Sequence, residues 1–285
     1  MADPVPGVRD IFVQANGLRH HLIARGHPGA PVVMLIHGLA GQAHTFDGVA
    51  TRLARRFHVY CLDVRGRGET QWGPAGGYHA DNYVADLEAV REALGLERMA
   101  LIGTSMGGMI TMNYQPRYPG RVTRAVLNDI GPEIDPAGLA RIIGYVGHAP
   151  EAFADMKAVV KYYRENYGPM LAHLPEEQLA EFARWHVRRS DSGVWVWKMD
   201  PAVRTQTPVA PAMQPWDAYN AISCPLLIVR GAQSDVLASG TLARMVEAHP
   251  GTASVEVPNA GHAPVLTEPE AAAALDAFLA PLLES

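Results

Sequence analysis

Hydrophobic residues are not spread evenly along the chain. They gather in short runs that close on Gly, Asp or Asn: PVVMLIHG (31–38), HVYCLDV (58–64), MALIGTS (99–105), RAVLNDIG (124–131) and PLLIVRG (225–231). Runs of this length with no polar alternation predict strands covered on both faces, as in a parallel sheet. Between them lie segments with apolar residues three and four apart. FDGVATRLARRF is one. DNYVADLEAVREALGL is another, with Val84, Leu87, Val90 and Leu94 on one face and charged residues on the other. Strand and helix in alternation predict an α/β sheet. The segment 9–25 departs from that rhythm, because Asn16-Gly17 is a hairpin turn signal between two strand-like stretches. The sheet is therefore expected to begin antiparallel and to continue parallel.

The rhythm breaks between about Gly131 and Pro215 and resumes at CPLLIVRG. The intervening residues include helical patterns, PAGLARIIGYV and PEEQLAEFARWHVRR, an aromatic piece, VWVWKMD, and a Pro- and Ala-rich stretch at 208–215 that reads as a return linker. The expectation is a mostly helical cap at 131–215, inserted into a core formed by 1–130 and 216–285. No internal repeat or low-complexity segment is visible.

Composition narrows the function classes. The 285 residues are 48% hydrophobic and 19% charged, the balance of a globular protein with a substantial core. A net charge of −5 with no basic stripe argues against a nucleic-acid partner. No apolar run approaches the roughly 18 residues of a membrane span. MADPVPGVRD has no basic region followed by an apolar run, so no signal peptide is expected and the default location is cytoplasmic. The two cysteines, Cys61 and Cys224, lie in or beside strand-like runs and predict buried thiols.

The candidate chemistry starts at GTSMGG (103–108). A strand leads into it and MGGMITMNYQ, a predicted helix, leads out. Ser105 thus occupies a sharp strand-to-helix turn flanked by Gly103 and Gly107, the pattern of a nucleophile elbow. Such a turn lifts the hydroxyl above the carboxyl edge of the sheet and sets it at a helix N-terminus, which favours developing negative charge. A serine needs a base. Of the twelve histidines, His262 follows the last strand-like run, ASVEVP, and precedes the last helix, which places it in a loop at the same edge. His20 and His21 are adjacent on a strand and face opposite ways. His249 ends a helix. No His-Glu-x-x-His or Cys-x-x-Cys spacing occurs, so neither a metal nor another cofactor is expected. For the carboxylate that orients the imidazole, Asp235 at the end of LLIVRGAQSD is preferred over Asp129 in LNDIG, whose alternative role is to tie down its own loop. An oxyanion would need two fixed donors: the N–H of Met106 at the helix start and that of Leu39 in HGLAG (37–41). DVRGRGET (63–70) reads as a structural loop in which Asp63 and Arg65 make local hydrogen bonds.

His37-Gly38, Asp63-x-Arg65-Gly66-x-Gly68, Gly103-x-Ser105-x-Gly107-Gly108, Gly231-x-x-x-Asp235 and Gly261-His262 occur in this order. Together they resemble the α/β-hydrolase superfamily over about 9–130 and 216–285. The resemblance is nearest to the cap-bearing small esterases, lactonases and carbon–carbon bond hydrolases. It implies an α/β-hydrolase fold: a mostly parallel eight-stranded sheet with helices on both faces and a helical cap after strand 6. It also implies a triad of Ser105, Asp235 and His262. The expected activity is hydrolysis of a small to medium, largely apolar carboxylic ester or lactone. Carbon–carbon, thioester and amide hydrolysis, perhydrolysis and a ligand receptor that keeps a hydrolase pocket stand as alternatives. Haloalkane dehalogenases and epoxide hydrolases of this fold carry aspartate at the elbow, so the serine argues against both. In the cap, Tyr145, Trp185, Trp195 and Trp197, with Met170 and with Trp216 just beyond it, are candidates either to line an apolar substrate pocket or to form the cap's own core.

Overall fold

The computed structural model describes residues 7–167, 171, 174–205 and 213–284. In chain order, the first part contains β1 (Arg9–Ala15), β2 (Leu18–Arg25), β3 (Val32–Ile36), α1 (Asp47–Leu53), β4 (His58–Leu62), α2 (Ala80–Ala93), β5 (Met99–Thr104), α3 (Met106–Arg117) and β6 (Val122–Asn128). An inserted segment follows, with α4 (Pro136–Gly147), β7 (Ala152–Phe153), α5 (Met156–Asn166), α6 (Glu176–Trp185), β8 (Val187–Arg189), β9 (Trp195–Trp197) and α7 (Ala202–Thr205). The chain closes with α8 (Pro215–Asn220), β10 (Leu226–Gly231), α9 (Ser239–Ala248), β11 (Ala253–Val257) and α10 (Pro269–Leu279).

The main sheet has eight strands in the order β1-β2-β4-β3-β5-β6-β10-β11. β2 pairs antiparallel with both β1 and β4, and the remaining pairings are parallel, as the hairpin signal predicted. Asn16 and Gly17 take positive φ at the hairpin, where the tight turn requires it. Alternate residues of each central strand serve opposite cores. Met34, Ile36 and Leu101 pack beneath α2 and α3, while Val33, Leu35, Ala100 and Ile102 pack against α1 and α10. Each Leu or Ile sealed in this way contributes on the order of 1.5–3 kcal/mol, and this two-sided burial is why the strands read as unbroken apolar runs. Cys61 and Cys224 are free and buried.

The inserted segment is mostly helical, as expected, but not wholly so. It carries a three-stranded antiparallel sheet in the order β7-β9-β8. The cause is local. Ser190 and Val194 close a turn, with Gly193 at φ 87°, between Val187-Arg188-Arg189 and the β-prone Trp195-Val196-Trp197. Phe153, Val159, Tyr162, Tyr163, Leu179, Val187 and Trp197 form a separate hydrophobic cluster for this segment. The expected return linker lies, at 208–212, outside the described residues, as does Met170.

Candidate active site

β5 and α3 meet at Ser105, whose backbone is strained at φ 52° and ψ −117°. A non-glycine residue there costs about 1–3 kcal/mol. The neighbours must be small. A Cβ on Gly107 would overlap the Ile36 carbonyl, one on Gly103 would overlap the Gly107 carbonyl, and one on Gly38 would stand 3.3 Å from the Ser105 Cβ. β5 pairs with β6 through Thr104 and Asn128, and the Ser105 N–H continues the ladder to the Asn128 carbonyl at 3.0 Å. Asp129 therefore sits one step beyond the strand end, directly beside Ser105.

A continuous hydrogen-bonded chain results. Ser105 Oγ donates to His262 Nε2 at 2.9 Å, and His262 Nδ1 donates to Asp129 Oδ2 at 2.7 Å. Asp129 has no solvent exposure. Its carboxylate also accepts from the Gly231 N–H at 2.9 Å and the Ser234 hydroxyl at 2.6 Å, so a buried charge is fully bonded. The loop carrying His262 is held from below, because Asn128 Nδ2 donates to the Pro264 carbonyl at 2.8 Å.

Asp235 does not take the place expected of it. Past Gly231 a turn closed by Ser234 N–H to the Gly231 carbonyl carries the chain away from the sheet edge and against Gly138 of α4. Asp235 ends at the surface in a bidentate pair with Arg141, at 2.6 and 2.7 Å, and that pairing holds its carboxyl below the usual range. The strand next to the elbow, not the following one, supplies the carboxylate. The spacing Gly231-x-x-x-Asp235 gave no measure of how far its loop leaves the edge.

The two expected oxyanion donors flank Ser105. Met106 is the first residue of α3, so its N–H has no partner within the helix. Neither it nor the Leu39 N–H meets an acceptor among the described residues. The turn that carries Leu39 is fixed by His37. Burial pushes this imidazole down to about 4, so it is neutral; Nδ1 donates to the Gly38 carbonyl at 2.7 Å and Nε2 accepts from the Val64 N–H at 3.0 Å.

In the loop read as structural, Asp63 accepts from the Ala43 and Glu69 N–H groups and from His21, and Arg65 pairs with Asp86. The residue overlooked there is Arg67. It is buried and has no carboxylate within salt-bridge distance among the described residues. Its Nε donates to the Leu39 carbonyl at 3.2 Å, and its Nη2 lies 3.5 Å from Met106 Sδ, so it bridges both candidate oxyanion residues. For a reaction that develops an oxyanion beside Ser105, Arg67→Met is expected to lower kcat by about tenfold to a hundredfold with little change in KM, less than the loss of a direct oxyanion donor. Separate kcat and KM values for the folded protein check this. A lowered Tm with unchanged kcat would make Arg67 a packing residue only.

A cavity of about 100 Å³ opens beside Ser105 and His262. Leu39, Phe46, Ile142, Phe182 and Val265 supply apolar walls, and Tyr145, Tyr163, Tyr167 and His186 line the side of the inserted segment. Of the aromatic candidates, Tyr145 alone faces this cavity. Trp197 touches only a neighbouring space of about 20 Å³ and belongs to the segment's core, 5.2 Å from Phe153. Trp195 packs against that same core. Trp185 stacks on His44 at 3.6 Å in a separate open cleft. Trp216 donates to Glu133. A tyrosine's ring and hydroxyl suit a mixed cavity wall, and Tyr163, Tyr167 and His186 carried no motif that would have marked them. Among the described residues, no group of three or more His, Cys, Asp or Glu is placed to hold a metal ion, and no helix is long and apolar enough to cross a membrane.

Known proteins resemble this chain in sequence and fold. A family described as alpha/beta hydrolase fold covers residues 31–269. Over 255 residues the chain is 36% identical to the 3-hydroxybutyrate-oligomer hydrolase of Cupriavidus necator, spanning 86% of this chain and 87% of that protein. It is 29% identical, over 88% of each chain, to the N-formylmaleamate deformylase of Pseudomonas putida. The crystal structure of an alpha/beta hydrolase from Novosphingobium aromaticivorans superposes with a TM-score of 0.84 at 34% identity, over 97% of this chain and 98% of that one.

Proposed function

The chain belongs to the α/β-hydrolase family, and on that premise we propose that it is a serine hydrolase of small, uncharged carboxylic esters. The observation that carries this reading is the unbroken chain from Ser105 through His262 to the buried Asp129, beside two N–H groups without acceptors. Ser105 Oγ attacks the ester carbonyl carbon while His262 Nε2 takes its proton. The oxygen, now an anion, is held by the Leu39 and Met106 N–H groups. The carbonyl re-forms, the C–O bond to the leaving alcohol breaks, and His262 returns the proton to that alcohol. A water, deprotonated by His262, then attacks the acyl-enzyme and releases the acid and Ser105. Asp129 keeps the Nδ1–H tautomer and stabilises the imidazolium. The inserted segment 131–215 acts as a cap: it covers the elbow, excludes water and supplies walls.

The cavity's chemistry favours an ester over the substrate type named for the deformylase, a maleamate, which carries a carboxylate. Among the described residues lining the cavity at Ser105 there is no lysine or arginine to meet such a charge. The similarity to a 3-hydroxybutyrate-oligomer hydrolase puts neutral hydroxyacyl esters, without that oligomer's own acid terminus, first among candidates. The test is a fluorophosphonate probe followed by peptide mass spectrometry, with a series of p-nitrophenyl esters of increasing acyl length. The expected result is an adduct on the Ser105 peptide and turnover highest for short acyl groups. An adduct elsewhere overturns the assignment. Turnover of N-formylmaleamate in preference to every ester would place the chain among C–N hydrolases instead.

A further inference from the structure

Four side chains of the Ser105 cavity carry hydrogen-bonding atoms that the described residues leave unused. Tyr145 lies on α4, Tyr163 on α5, Tyr167 just past its end, and His186 at the end of α6. The rings are packed together: Tyr145 on Tyr167 at 4.6 Å, Tyr163 on Tyr167 at 4.9 Å and Tyr163 near His186 at 5.4 Å. Their neighbour Tyr162 shows the ordinary solution for a buried phenol, since its hydroxyl donates to the Tyr145 carbonyl at 2.8 Å. The hydroxyls of Tyr145, Tyr163 and Tyr167 make no such bond among the described residues, although Tyr163 is only 1% exposed. His186 Nδ1 donates to the Phe182 carbonyl at 2.9 Å, which leaves a lone pair on Nε2. All four residues line the Ser105 cavity, and none of these atoms is fully sealed inside protein, so each keeps accessible surface. A buried polar atom without a partner is costly, and tyrosine hydroxyls in such places find one. The cavity is where these accessible atoms can meet a partner supplied by a bound molecule.

We propose that Tyr145, Tyr163, Tyr167 and His186 form a polar wall that selects oxygen-bearing acyl chains, with His186 Nε2 accepting from a substrate hydroxyl and the tyrosine hydroxyls donating to carbonyl or ether oxygens further along. The assignment deepens the ester hydrolase reading and rests on Ser105 as its nucleophile. The protonation states agree with it. Burial holds the Tyr163 and Tyr167 hydroxyls protonated, raising both well above their ordinary value, and pushes His186 down to about 4. At neutral pH the wall therefore offers three hydroxyls that can donate, an imidazole nitrogen that accepts, and no charge. That set fits neutral oxygen atoms and gives a carboxylate no counter-charge.

The experiment compares kcat/KM on p-nitrophenyl 3-hydroxybutyrate and p-nitrophenyl butyrate for the wild type, His186→Phe and Tyr167→Phe. Both variants keep an aromatic ring in place, and their Tm values verify folding. The wild type is expected to favour the hydroxy ester by about tenfold, the scale of a neutral hydrogen bond whose loss leaves a polar group unpaired. Each variant should remove most of that preference, so the readout is the ratio of the two kcat/KM values within each protein rather than either rate alone. Equal wild-type rates on the two esters, or an unaltered ratio in both variants, overturn the wall while leaving the hydrolase reading intact. If Ser105 captures no phosphonate and neither ester turns over, the hydrolase reading fails instead. The wall is then tested by NMR titration of Ser105→Ala protein with methyl 3-hydroxybutyrate and methyl butyrate. Tighter binding of the hydroxy ester, lost when Tyr167→Phe is added, supports the wall; equal affinities overturn it.

Discussion

Ser105→Ala is expected to lower kcat/KM on every ester substrate by about 10⁴- to 10⁶-fold, the usual cost of losing the nucleophile of a triad. The fold should survive. Alanine keeps the Cβ that already occupies the strained backbone, and the hydroxyl it removes bonds only to His262 among the described residues. Tm should therefore move by no more than a few degrees, because a change near 1 kcal/mol shifts a domain of this size by roughly 2–4 °C. Rates from a stopped assay at high enzyme concentration, together with loss of the phosphonate adduct from the peptide containing residue 105, check both halves. An alanine variant retaining more than a hundredth of wild-type activity would remove Ser105 from the mechanism.

Asp129→Asn should follow with a fall of about 10⁴-fold in kcat, because an amide can accept or donate at the Oδ2 position and so permits the imidazole tautomer that leaves Nε2 protonated and unable to take the Ser105 proton. The Gly231 N–H can still be satisfied by the remaining carbonyl oxygen, which limits the structural damage. Asp235→Asn serves as the control. It breaks a surface pair with Arg141 worth no more than about 1 kcal/mol and should change kcat less than tenfold. The reverse order of effects, measured on the same ester with both variants folded by circular dichroism, would return the role to Asp235.

The two aspartates differ in a way that no local pattern records. Asp129 and Asp235 both follow apolar runs that end at the same sheet edge, and local pattern ranks them only by position in the chain. The decision is made by strand order. β6 lies between β5 and β10, so its first residue past the ladder stands beside the elbow and under the His262 loop, while the turn after Gly231 leads its chain outward to α4. Among the aromatic candidates of the inserted segment, Tyr145 lines the cavity while Trp195 and Trp197 join the segment's core, for a similar reason. Trp195 and Trp197 alternate on a short strand whose faces are set by its partners, and a tryptophan looks the same in a sequence whether it faces a substrate or a core.

The features legible in the chain are those that short-range physics sets. Two-sided burial wrote the parallel strands as apolar runs, Asn16-Gly17 set the antiparallel start, and the crowding around Ser105 demanded glycine at 103 and 107. His262 could be placed because it lies within a few residues of a strand end. Only the tertiary structure decided which carboxylate meets His262, that Arg67 joins Leu39 to Met106, and that three tyrosines and His186 from three helices share one cavity wall. Each of those depends on side chains far apart in the chain meeting through packing, and no local period or motif records the angle at which one element crosses another.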